Sequence, residues 1–182
     1  MSTARRLYVL CTNNPEAADE MIKKMRLKIG GMIDRIIDID IEYTIDDESN
    51  QRAFLKEKMY AFVGFDIAKD NRMLKNSELE INLENFIDMQ RKWRHPYTNK
   101  AYDSLAYIAG MVVHPFYKNM KYKINHNEDH KLWGISPLPD YLIEYATIDA
   151  YATYQSWKKI DMVKKVQCKL NYEKEFGRFY GY

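Results

Sequence analysis

Residues 36–43 read IIDIDIEY. The alternation is strict. Ile37, Ile39 and Ile41 fall on one face of an extended chain and Asp38, Asp40 and Glu42 on the other, because successive side chains of a strand point to opposite sides. Side chains two residues apart on one face sit only about 7 Å from each other, so three carboxylates in a row repel unless a cation or a raised pKa intervenes. Hard cations such as Mg²⁺ and Mn²⁺ take oxygen ligands, and a strand is a rigid base from which to aim two carboxylates at one point. The plainer reading is a half-exposed strand whose polar face happens to be acidic.

On the N-terminal side, Arg6 to Thr12 (RLYVLCT) has the composition of another strand. Asn13-Asn14-Pro15 then supplies a helix cap with proline in the first turn, and Ala18, Met21, Ile22 and Met25 follow at helical spacing up to the Gly30-Gly31 break. On the C-terminal side, a polar turn (TIDDESNQ) leads to a short helix expected over Arg52 to Lys58, and the apolar run Met59 to Phe65 reads as a buried strand. A helix is expected to begin near Asp70, with Asp70 most simply its N-cap. Asn82 to Asp88 reads as a further strand, and Asp103-Ser104 caps a helix carrying Leu105, Ile108, Ala109 and Val112. His114 to Trp133 reads as irregular. Leu138-Pro139 opens a long helix to about Asp161, in which Leu142, Tyr145, Ala146, Asp149 and Thr153 share one face.

That last helix holds a second acidic signal. In YATIDAY, Tyr145 and Asp149 are four residues apart and meet on successive turns. An acid on the same stripe as Leu142 and Ala146 is unusual, since a buried carboxylate needs something positive opposite it. The bland alternative packs Tyr145 in the core and pairs Asp149 with a nearby Lys or Arg. The third signal is FVGFDIAKD, an apolar strand running into an acidic loop that ends at Asp70.

In this order the three pieces resemble the motifs of the DEDDy-type 3′→5′ exonucleases, the group that includes RNase D and the Werner-type exonucleases. Asp40-Ile41-Glu42 is similar to the first motif, FVGFDIAKD ending in Asp70 to the second, and Tyr145-Ala-Thr-Ile-Asp149 to the third. SLAYIAG (104–110) and the stretch 133–139 also sit where such proteins carry similar segments, so the resemblance runs from about Ile36 to Trp157. The N-terminal part is further similar to plant members, including the RISC-interacting clearing exoribonucleases, which act on RNA and form ring-shaped oligomers. The resemblance implies an α/β, ribonuclease H-like fold, with a mixed sheet flanked by helices. It also implies two divalent ions, Mg²⁺ or Mn²⁺, held by Asp40, Glu42, Asp70 and Asp149. Tyr145 is implied as the residue that aligns the attacking water, and nucleoside 5′-monophosphates as products of single-stranded RNA or DNA.

The chain also departs from that pattern. Only residues 43–69 separate Glu42 from Asp70, too short an interval for the strand hairpin and helix that relatives place there. The sheet is therefore expected to be shortened, leaving the first-motif strand with an open edge and the protein inclined to form a homo-oligomer. Asp38 and Asp66 stand where relatives commonly have glycine. The shortened interval and these extra acids support an alternative function, a catalytically impaired member that binds nucleic acid or a protein partner.

Bulk properties narrow the field only coarsely. At 182 residues, 46% hydrophobic and 30% charged, residues 1–182 are expected to form a single domain with its own core. With 28 Lys+Arg against 26 Asp+Glu, any attraction to nucleic acid must come from local patches. The candidates are 91–95 (RKWRH) and Lys118, Lys121 and Lys123 interleaved with Tyr117 and Tyr122, where basic and aromatic side chains alternate. Packed stems on a solvated loop explain them equally well. His126 and His130 read as poor candidates for metal ligands. No run is long and apolar enough to cross a membrane, and the N-terminus lacks a secretory pattern. Cys11 and Cys168 lie far apart without a Cys/His cluster, which suits free thiols in a reducing compartment, the cytoplasm or nucleus.

Overall fold

The computed structural model describes residues 9–12, 14–30, 36–38, 58–76, 83–94, 99–120 and 130–176; for 73–76, 83, 130–131 and 168–176 it describes the backbone alone. The strands among these are β1 (Ile36–Asp38), β2 (Ala61–Gly64) and β3 (Phe86–Asp88), and the helices are α1 (Pro15–Gly30), α2 (Ile67–Asn76), α3 (Met89–Lys92), α4 (Leu105–Val112) and α5 (Asp140–Phe176). The strands form a parallel sheet in the order β1-β2-β3. No antiparallel pair of the expected mixed sheet lies among these three described strands. The expected hairpin deletion and the helix over Arg52 to Lys58 fall almost wholly outside the described residues, Lys58 itself lying in a turn.

Burial follows the alternation read from the sequence. Ile37 pairs in register with Phe62, and Phe62 with Phe86. These three lie on the face covered by α1, through Ile22, Met25 and Ile29. The other face carries Ile36, Val63 and Ile87 against the larger core formed with Trp93, Leu105, Ile108, Ala152 and Trp157 from the C-terminal half. Asp38 pairs with Val63 and, two residues on from Ile36, shares this second face. The acidic side of β1 therefore looks toward the layer containing α5, not toward α1.

Local signals explain the helix boundaries. Asn14 caps α1, its Oδ1 accepting from the backbone N–H of Glu16 at 2.9 Å, with Pro15 as the first helical residue. Ser104 caps α4 by accepting from Tyr107 N–H at 3.1 Å. α5 runs for 37 residues, well past the expected end near Asp161. Over residues 162–167 the continuation is exposed, Met162, Val163 and Val166 included, and a Lys165–Asp161 pair (2.8 Å) spans one turn at its start.

Three other expectations are corrected. Val9 to Thr12 are exposed and not in a strand; Thr12 Oγ1 instead accepts from Asn14 N–H at 3.0 Å and turns the chain into the α1 cap. α2 begins at Ile67, so Asp70 is a first-turn residue rather than the N-cap. The supposedly irregular stretch contains 3₁₀ turns at Pro115–Asn119 and His130–Gly134, the first capped by His114, whose Nδ1 accepts from Phe116 N–H.

The Pro115–Asn119 turn packs so closely on α4 that a Cβ built on Gly110 would lie 2.4 Å from Lys118 Cγ and 3.2 Å from its backbone nitrogen. Overpacking of this kind costs about 1–3 kcal/mol, against roughly 0.5–1 kcal/mol gained from alanine's better helix propensity. Gly110→Ala is expected to lower the midpoint of thermal unfolding by a few degrees. An unchanged or raised midpoint would show that the 3₁₀ turn shifts freely.

Candidate active site

In open parallel sheets, ligands bind beyond the carboxyl ends of the strands. This end is where the acids collect. Asp38 closes β1, Asp66 and Asp70 follow β2, and Asp88 closes β3. Asp40 and Glu42, two and four residues beyond β1, lie outside the described residues. Asp70 is half-buried in the first turn of α2.

Asp149 comes from the opposite layer. It sits on the inward stripe of α5 between Leu142 and Ala152, both fully buried, and is itself 4% exposed. Thr153 and Ser156 continue the same stripe, which gives a helix interior more polar than packing alone requires. Tyr145, one turn before Asp149, is half-buried, its ring tilted at 48° against Trp133 with centroids 6.4 Å apart. Tyr145 and Asp149 therefore lie one turn apart on α5, as their four-residue spacing implies.

A divalent cation suits this donor set. A carboxylate as buried as Asp149 is costly to desolvate without positive charge nearby, and all four sequence-derived candidates offer the hard oxygen donors that Mg²⁺ and Mn²⁺ take. Among the described residues alone, no three acidic, His or Cys side chains are gathered as a cation site.

The turn into α2 has an unusual backbone. Asp66 has φ of 60°, in the left-handed region where glycine is unstrained and Asp is tolerated. Asp66 O accepts from Lys69 N–H at 2.9 Å and so starts the helix that carries Asp70. Asp88 Oδ1 accepts from Asp66 N–H at 3.3 Å, although the two residues are 22 apart in sequence. Asp88 was not singled out among the sequence candidates. Its local role was legible, because Asp before a short helical segment is a cap signal, and it does cap α3 by accepting from Gln90 N–H at 3.0 Å.

The basic and aromatic segments divide differently from their sequence pattern. Arg91, Lys92 and Arg94 are exposed, but Trp93 is 4% exposed within the core, with Lys164 Nζ 5.5 Å from its ring centroid. It is a packing residue and offers no stacking platform, correcting that expectation. Tyr117 packs edge-on to Phe116 and against the core, and burial, followed by the neighbouring Tyr151, raises its phenol pKa. Lys118 is exposed. His95, Lys121, Tyr122, Lys123 and His126 lie outside the described residues, as does the side chain of His130. Cys11 is an exposed free thiol, and no helix among the described residues is long and apolar enough to cross a membrane.

The model of a family described as 3'-5' exonuclease matches residues 28–164. No curated protein and no solved structure gives a significant match.

Proposed function

The chain belongs to the 3′-5′ exonuclease family, and from that premise we propose that it is a metal-dependent exonuclease of the DEDDy type. It removes nucleotides from the 3′ end of single-stranded RNA or DNA as nucleoside 5′-monophosphates. The observation that carries this reading is the placement of Asp149. A nearly buried carboxylate on the inward stripe of α5, one turn beyond Tyr145, belongs to the layer that the acidic face of β1 looks toward.

Asp40, Glu42, Asp70 and Asp149 are the residues proposed to hold two Mg²⁺ or Mn²⁺ ions. In the sequence, Asp40 and Glu42 continue the alternation of acids that begins at Asp38. Bound divalent ions supply a nucleophile at neutral pH and neutralise charge on the scissile phosphate. The four carboxylates fix where that charge sits. Tyr145 uses its phenol to hold the attacking water in line with the P–O3′ bond, a contribution made through orientation rather than through proton transfer. Trp133 against its ring restricts the directions in which the phenol can point.

The direct test is a single strand labelled at its 3′ end, incubated with protein and Mn²⁺ with and without a chelator. Release of labelled mononucleotide that the chelator abolishes is the expected result. Retention of the intact strand in a gel shift without release would identify a binding protein that has lost catalysis, and would overturn the proposal.

A further inference from the structure

Asp88 lies at the junction of three elements and does more than cap α3. It ends β3 directly opposite Gly64, the last residue of β2 in the parallel register. From there one oxygen, Oδ1, serves two N–H donors, Gln90 on its own strand exit and Asp66 on the neighbouring one. Arg91 Nε stands 3.6 Å from the other oxygen, and the Asp88 side chain is only 13% exposed. The Asp66 N–H that it takes belongs to a residue at φ 60°, and the carbonyl of that same residue opens α2 through Lys69. Asp66 is thus held at its N–H by Asp88 and at its carbonyl by the helix, with Asp70 one turn further on.

We propose that Asp88 is a positioning residue for Asp70. Its carboxylate locks the left-handed turn at Asp66, which fixes the entry angle of α2 and so the point in space from which the Asp70 carboxylate reaches the metal site. The inference rests on the reading of Asp70 as a metal ligand. A short, strained turn between strand and helix is a poor support by itself, because a small rotation about Asp66 is amplified one turn along the helix. A charge-assisted hydrogen bond accepted by a part-buried carboxylate on the next strand removes that freedom.

Asp88→Ala removes the acceptor, whereas Asp88→Asn keeps an oxygen for the same two N–H groups. Mn²⁺ affinity, read from the metal-dependent shift in melting temperature, is expected to weaken by roughly tenfold or more in the alanine variant, the usual range for partners that orient a metal ligand. The asparagine variant should stay within about threefold of the parent, since the bonded oxygen remains. Amide hydrogen exchange over residues 66–72, measured without metal, should quicken in Asp88→Ala and recover in Asp88→Asn. Arg91→Ala should change neither readout. If the parent protein shows no Mn²⁺-dependent shift, the metal reading and this inference both fall. A parent shift that Asp88→Ala leaves intact, or unchanged exchange over 66–72, overturns this inference alone. Should Asp88→Ala fail to fold, Asp66→Gly and Asp66→Gly/Asp88→Ala replace the pair, since glycine takes φ 60° without strain. Equal Mn²⁺ affinity in those two variants also overturns the inference.

Discussion

Asp149→Asn will reduce release of the 3′-terminal nucleotide by about 10³-fold or more, in line with losses seen when one member of a catalytic group acting as a unit is removed, and it will do so without destabilising the protein. Both halves follow from burial. Asp149 is 4% exposed, and holding a carboxylate at that depth costs desolvation free energy. Asparagine has nearly the same shape and no charge to desolvate. The melting temperature without metal should therefore hold or rise, while the shift produced by Mn²⁺ should shrink. Alanine at Asp40, Glu42 or Asp70 should cause comparable losses, and pairs of these substitutions should not multiply, because each alone disables the same site. Tyr145→Phe keeps the ring against Trp133 and removes only the phenol oxygen, so a smaller loss is expected. Full cleavage by Asp149→Asn would remove Asp149 from the site.

Features that depend on near neighbours were legible in the sequence. Asn14 before Pro15 and Ser104 before Leu105 cap helices through donors no more than three residues away, and both caps form. The alternation of Ile36, Ile37 and Asp38 fixed which side of β1 is acidic, and the fourfold spacing of Tyr145 and Asp149 fixed their common face. Trp93 failed for a related reason. Its neighbours Arg91, Lys92 and Arg94 gave the segment the composition of a nucleic-acid contact. Composition does not say which way a single short turn points, and here the indole turns inward while the charges stay in water. The Asp88–Asp66 contact could not be read at all. It joins residues 22 apart whose meeting requires β2 and β3 to pair in one particular parallel register. Likewise, Gly110 looked like any small residue in an apolar helix until Lys118 was seen to pack directly against it. The candidate ligands were named from motifs that are each local, whereas the Asp88–Asp66 contact crosses between strands.

Phe62→Ala should have the largest effect on stability of any substitution considered, and should separate folding from chemistry. Phe62 is completely buried in the middle strand. Its ring stacks on that of Phe86 with centroids 5.1 Å apart and planes at 28°. Ile37 lies beside it in register, and Ile22, Met25 and Ile29 of α1 close the cluster from above. Truncation to alanine leaves a cavity bounded on two sides by hydrogen-bonded strands that cannot close in, so the upper part of the usual range of about 3–5 kcal/mol applies. The lost ring pair adds to this, by roughly 0.5–1.5 kcal/mol. Against a total stability of about 5–15 kcal/mol for an ordinary domain, the variant should be partly unfolded at physiological temperature, with a urea midpoint far below the parent's. Yet Phe62 faces α1, whereas Asp38 and Val63 face the side where α5 brings Asp149. The fraction that remains folded in the cold should therefore cleave at close to the parent rate per folded molecule and still respond to Mn²⁺. A loss below about 1 kcal/mol, the mark of a site that closes up after truncation, would show that α1 does not cover this face in solution. Cleavage lost from the folded fraction would show that the two faces of the sheet are mechanically coupled.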